Sequence, residues 1–222
     1  MRNLNWIGLV IGLGLAATAL AEEPKWTYGQ VGYTRFDSSD NDATGNDTEQ
    51  DAYSLIGSIG FQGLGHFMFN YQHGQVEEFD GAGGDDVDYD GIELYLGAHP
   101  ELNSTTDLVF DFFYFSETFD DFDGSADQDC DGYGMRSGIR TLALNEKLEL
   151  NAYGRWTDGN CKLDGGGRDE DFTDFTLEVG GQYFWRPNLS TGMTFTSNDP
   201  NALDGDDSVN FFLRYSLAAD WF

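Results

Sequence analysis

Lysine is nearly missing from this sequence: Lys25, Lys147 and Lys162 are the whole complement among 222 residues. With the arginines, 11 basic residues face 40 acidic ones, and the net charge is -29. Affinity for nucleic acid depends on lysine and arginine neutralising phosphates, so this deficit excludes DNA and RNA as partners. Past residue 21 no continuous apolar run approaches the roughly 20 residues of a membrane helix. Nor does any sustained 3.6-residue periodicity mark amphipathic helices. Hydrophobic residues still make up 40% of the chain and aromatics 15%, which excludes a disordered acidic tail.

What is present begins with Arg2, an apolar stretch from Trp6 to Leu20, and Ala19-Leu20-Ala21 ahead of Glu22, Glu23 and Pro24. That is the layout of a secretory signal peptide cut after Ala21, giving residues 1–21 as leader and 22–222 as one domain. An uncleaved membrane helix is the competing reading, but the stretch is short for a span and a small-x-small site follows it.

The remainder alternates apolar and polar residues in ten runs: 26–36, 52–61, 66–76, 91–98, 107–115, 133–142, 148–156, 175–184, 189–196 and 209–218. Membrane β-strands need about 9 to 11 tilted residues, and single-chain bacterial barrels use even strand numbers. Short links at 62–65, 99–106, 143–147 and 185–188 alternate with long ones at 37–51, 77–90, 117–131, 158–174 and 198–208. Strict alternation sends every long loop to one end. The expected fold is therefore all-β: a transmembrane antiparallel up-and-down β-barrel of ten strands, with five long extracellular loops, short periplasmic turns and both termini periplasmic. Those loops hold 30 of the 40 acids and two bases, Lys162 and Arg168, so the outer mouth is expected to be strongly negative.

A soluble barrel would show the same alternation with its apolar side turned inward, so the composition of the polar face decides. One face carries Tyr53, Leu55, Ile59 and Phe61, then Phe67, Phe69 and Tyr71, Ile92, Leu94 and Leu96, Leu108, Phe110 and Phe112, and Phe211, Leu213, Tyr215 and Leu217. The other carries Ser54, Asn70, Gln72, Thr194 and many glycines, with no lysine in any strand. That composition suits a crowded lumen better than a water-facing wall. Inner-face charges balance, with Glu93, Asp111, Glu149 and Glu178 against Arg136, Arg140, Arg155 and Arg214. Two readings follow: a salt-bridged polar core that fills the barrel, because unpaired buried charge is costly, or a charged constriction that selects ions in a narrow pore.

The leader, the opening Tyr28-Gly29-Gln30-Val31-Gly32-Tyr33 strand, the alternating loop lengths and the closing strand ending in Phe222 resemble the small outer-membrane β-barrel superfamily of the OmpA transmembrane domain and OmpX, in a ten-stranded subgroup. The resemblance covers the mature chain and implies location in the outer membrane of a Gram-negative bacterium. It also implies recognition of the C-terminal strand by the barrel-assembly machinery, and contact with outer-membrane lipid and lipopolysaccharide. Phe222 is out of phase with Phe211, Leu213, Tyr215 and Leu217, so a bulge near Ala218 or a short tail is required. The resemblance implies a scaffold and a place, not one activity.

Cys130 and Cys161 are the two cysteines, and an exported chain meets an oxidising compartment. Their midpoint falls in the 143–147 turn, so folding the hairpin there sets them opposite each other. A disulfide is expected, tying two long loops and contributing roughly 3 to 4 kcal/mol through chain entropy; two free loop thiols are the alternative. Zinc is poorly supported, since no histidine lies in the long loops.

Asp86, Asp88 and Asp90 before Gly91, and Asp127, Asp129 and Asp131 before Gly132, match the opening of a calcium loop. The bidentate glutamate required at position 12 is replaced by Gly97 or Gly138, so neither is an EF-hand. Asp at every second position also follows from a strand with one polar face. Both readings stand: a solvated acidic rim, suited also to a saline habitat, or weak calcium or magnesium binding. No cofactor is otherwise expected.

Ten strands invite comparison with the omptin proteases, whose site joins acids and a histidine near the outer mouth. His66 and His99 fall near the short turns, and His73 is in phase with the apolar face, so none is placed to serve a nucleophile. The leading expectation is a non-enzymatic outer-membrane barrel whose acidic loops mediate cation, lipopolysaccharide or surface interactions. The alternative is a small porin-like channel with a cation-attracting mouth. An omptin-like protease ranks third.

Overall fold

Strict two-residue alternation can be satisfied by a single sheet closed on itself, and the computed structural model shows such a sheet. It describes residues 26–39, 47–61, 65–77, 87–120, 127–163, 169–197 and 207–217. The strands are β1 (Tyr28–Ser39), β2 (Asp47–Phe61), β3 (Gly65–Glu77), β4 (Val87–Ala98), β5 (Glu101–Asn103), β6 (Thr106–Asp120), β7 (Gln128–Ala143), β8 (Leu148–Leu163), β9 (Glu170–Arg186), β10 (Leu189–Ser197) and β11 (Asp207–Ser216). All pairings are antiparallel and sequential, except that β4 pairs directly with β6 while β5 forms a short annex against the start of β6. β1 meets β11 in a register running from Tyr28↔Ser216 to Asp37↔Asp207, which closes a wall of ten strands and removes the open edge.

The apolar face points outward. Leu55 is 51% exposed, Leu96 65% and Phe112 56%, whereas Glu149 and Ser190 are fully buried. Water-soluble proteins bury aliphatic groups and expose carboxylates; the inverse distribution is that of a transmembrane barrel. At the long-loop end the apolar band finishes in tyrosines whose hydroxyls reach up to carboxylates. Tyr33 donates to Asp51 and Tyr71 to Asp90, each at 2.6 Å.

The strands run further than the hydrophobic alternation indicates. β2 begins at Asp47 rather than residue 52, β4 at Val87 rather than 91, and β7 at Gln128 rather than 133. β6 continues to Asp120 and β8 to Leu163. Above the band the outward face turns polar, so these extensions lose the outward apolar signature while their hairpin pairing persists. More than half of the acids expected in loops therefore stand on paired strands, and the connections shrink to residues 40–46, 78–86, 121–127, 164–169 and 198–206. At the opposite end the β7–β8 turn places Leu144, Asn145 and Glu146 in the left-handed region, at φ 51°, 56° and 66°.

Candidate functional site: the barrel lumen

Inward residues of the ten strands enclose a cavity of about 480 Å³ that reaches from Phe119 and Thr196 near the long-loop end to Trp26 at the short-turn end. One side is small and polar: Ser54, Asn70, Gln72, Thr194 and Asn210. The other carries charges and rings.

The structure brings all eight predicted lumen charges inside and pairs them. Arg155 Nη2 lies 2.6 Å from Glu93 Oε1, and Arg136 Nη2 2.6 Å from Asp111 Oδ2. Arg136 also approaches Glu178 at 3.8 Å. Arg140 Nε and Nη2 each reach Glu149 at 2.8 Å, and Arg214 Nη1 reaches the same carboxylate at 3.5 Å. Gln182 donates to Glu149 at 2.7 Å, and Ser190 to Gln182 at 2.7 Å. Bidentate, charge-assisted contacts of this kind repay part of the desolvation of buried ions.

Each guanidinium also lies on an aromatic face. Arg140 is 4.4 Å from the Trp26 ring centre, Arg155 4.3 Å from Phe113 and Arg214 3.9 Å from Tyr28. Arg136 lies 4.8 Å from Tyr95 and 4.6 Å from Tyr153. The lumen glycines make room for these rings. A Cβ on Gly134 would stand within 2.7 Å of the Phe113 ring, and one on Gly138 2.7 Å from Tyr153.

Trp26 forms the floor. Its indole stacks on His66 at 4.4 Å and His99 at 4.3 Å, and its Nε1 donates to Asp107 at 2.9 Å. His66 is fully buried, with Nε2 3.0 Å from Asp111, so near its short turn it forms part of the lumen floor. His73 faces outward, 3.1 Å from Asp90.

Above the ion pairs lies the upper part of the lumen, its vestibule. Tyr89 and Phe119 lie side by side at 5.1 Å between ring centres, and Phe115 meets Phe172 at 6.0 Å. Tyr89 donates to Glu117 at 3.3 Å. Glu117 stands on the part of β6 that runs past the apolar band, opposite Cys130. Burial, and next the Glu93 carboxylate, push its carboxyl up to about 7, with Arg155 and the Tyr89 hydroxyl pulling the other way.

Cys130 and Cys161 are directly opposed in the β7–β8 register and form a disulfide. It joins the strand extensions of one hairpin rather than two long loops, because the pairing continues past it to Gln128↔Leu163.

Of the aspartates considered as calcium ligands, Asp86 lies outside the described residues. Asp88 accepts from Gln75 at 2.9 Å, Asp90 from Tyr71, and Asp129 from Thr118 at 2.9 Å. Asp127 precedes β7, and Asp131 pairs in register with Ser116 and Asn160. The two groups sit on β4 and β7, separated by β6. Among the described residues no group of three acidic, histidine or cysteine side chains is arranged to hold a metal ion.

No protein-family model matches the chain, and no curated protein does. Among solved structures it is similar to an outer membrane channel from Pseudomonas putida F1, with a TM-score of 0.58 and 13% identity over 91% of this chain and 98% of that one. Weaker likenesses are to Ail, the attachment invasion locus protein of Yersinia pestis (TM-score 0.42, 14% identity, 86% of this chain and 97% of that one), and to the KdgM porin (TM-score 0.39, 11% identity, 85% and 99%). The first of these likenesses shows the outer-membrane barrel fold; the narrower resemblance to OmpA and OmpX is not confirmed by it.

Sequence reasoning passed over Trp26, Tyr95, Phe113, Phe115 and Glu117 as lumen residues. Their parity was visible: Phe113 and Phe115 alternate with Phe110 and Phe112 and share the phase of Asp111.

Proposed function

We propose that this chain is a non-enzymatic outer-membrane β-barrel of a Gram-negative bacterium that acts as a narrow porin-like channel with a cation-attracting mouth. The observation that carries this reading is the cavity from the long-loop end down to Trp26. Four arginines balance Glu93, Asp111, Glu149 and Glu178, while Glu117 and Asp174 line the upper lumen in addition. Carboxylates at the mouth of a low-dielectric channel concentrate cations there. Downward passage meets the ion-pair layer and then the Trp26 stack, so conductance is small until Trp26 moves. Planar-bilayer recording of the refolded mature chain tests this: small cation-selective steps, enlarged in Trp26→Ala, are expected, and silence of both proteins after stable insertion would refute it.

A surface role accompanies the channel, favoured by the outward-facing carboxylates Asp88 and Asp90 on β4 and Asp129 and Asp131 on the disulfide-braced β7. There the acidic rim meets lipopolysaccharide phosphates through weakly held calcium or magnesium. Lipopolysaccharide binding that rises with magnesium and drops in the fourfold aspartate-to-asparagine variant is expected; magnesium-independent binding would count against it.

A further inference from the structure

The lumen repeats one arrangement: a cation held between an aromatic face and a carboxylate. Arg140 lies on Trp26 and against Glu149; Arg155 lies on Phe113 and against Glu93. Arg136 lies on Tyr95 and Tyr153 and against Asp111; Arg214 lies on Tyr28 and against Glu149. In all four the guanidinium comes from the chain itself. A fifth set of the same parts stands in the vestibule, where Tyr89 and Phe119 lie side by side and Glu117 takes the Tyr89 hydroxyl. Phe115 and Phe172 extend the aromatic surface. Among the described residues no guanidinium or ammonium lies within ion-pair distance of Glu117.

We propose that this fifth seat binds an organic cation entering from the long-loop end, a small guanidinium-bearing solute whose planar group takes the place that arginine occupies in the other four. Ring faces attract such cations through their quadrupole, most strongly where water is excluded, and a carboxylate offers the guanidinium two parallel acceptors. Calcium is not matched, since it needs six or more oxygen ligands and one carboxylate among rings does not supply them. Glycine at position 91 keeps the seat open, because a Cβ there would stand 2.5 Å from the Tyr89 hydroxyl oxygen.

The inference concerns binding in the vestibule and holds whether or not the lumen conducts. The test is isothermal titration calorimetry of refolded residues 22–222 at about pH 8.5, above the Glu117 titration so that its carboxylate is ionised, with methylguanidinium and with methylurea as its neutral isostere. Methylguanidinium should bind in the millimolar range, methylurea at least tenfold more weakly. Glu117→Gln should weaken methylguanidinium at least tenfold, and Phe119→Leu about threefold, both in protein whose folding is verified by heat-modifiable electrophoretic mobility. Equal binding of the two probes, no binding heat, or unchanged affinity in folded Glu117→Gln would overturn the inference. A conducting barrel that binds no methylguanidinium would remove this seat and leave the channel standing; a silent barrel that binds it would do the reverse.

Discussion

Replacing Glu149 with glutamine should destabilise the barrel far more than an exposed carboxylate would. Glu149 is fully buried and serves Arg140, which is 2% exposed, and Arg214, which is 9% exposed. Glutamine keeps the volume and one acceptor but leaves two buried guanidinium groups without their counter-charge. Gln30, 2.9 Å from Arg214 Nε, and the Tyr28 and Trp26 rings compensate in part. Breaking a buried pair by removing one partner costs about 3–5 kcal/mol, a factor of roughly 10² to 10³ or more in the folding equilibrium. Urea titration in micelles, followed by tryptophan emission and heat-modifiable mobility, reads the loss directly. The double variant Arg140→Leu with Glu149→Leu should recover at least half of it, because one charge leaves with the other. A loss below about 1 kcal/mol for Glu149→Gln would refute the claim that Glu149 is the counter-charge on which the two buried arginines depend.

Removing the disulfide by Cys130→Ser with Cys161→Ser should lower the unfolding free energy by about 3 kcal/mol. The barrel should still fold, since the same hairpin is paired on both sides of the bond; failure to refold would contradict this. Glu117, whose carboxyl is raised to about 7, stabilises the fold fully below its unfolded pKa near 4.5 and loses that contribution as pH rises through 7. The urea midpoint should therefore fall between pH 5 and pH 8, and Glu117→Gln should flatten that slope. An unchanged slope in the variant would place the titration elsewhere.

All ten wall strands were legible because one buried and one lipid-facing side impose a strict period of two, and the charges Glu93, Asp111, Arg136, Arg140, Glu149, Arg155, Glu178 and Arg214 could be given a face by parity alone. Their partners could not. Arg140 finds Glu149 across one hairpin, but Arg155 meets Glu93 from the far side of β6 and β7, and barrel stagger decides which levels coincide. Strand ends at the long-loop side were missed where polar residues occupy both faces, as in residues 47–51, or where the outward face turns to aspartate while Val87 and Tyr89 point inward, because polarity there marks exit from the lipid band rather than the end of pairing. The cysteine register was readable, since a hairpin centred on the 143–147 turn sets positions 130 and 161 opposite. Trp26 as a floor was not, because its neighbours His66, His99 and Asp107 come from β3, the β4–β5 connection and β6. Likewise the short β5 pairs within a link that carries no alternation of its own.

The central claim is that the lumen is a passage whose narrow end is closed by the Trp26 stack on His66 and His99. Single-channel recording of refolded residues 22–222, wild type beside Trp26→Ala and each with and without millimolar calcium, tests it most directly. Small cation-selective steps in the wild type, with larger steps in the variant, are the predicted result. Stable insertion with no current from either protein would contradict it.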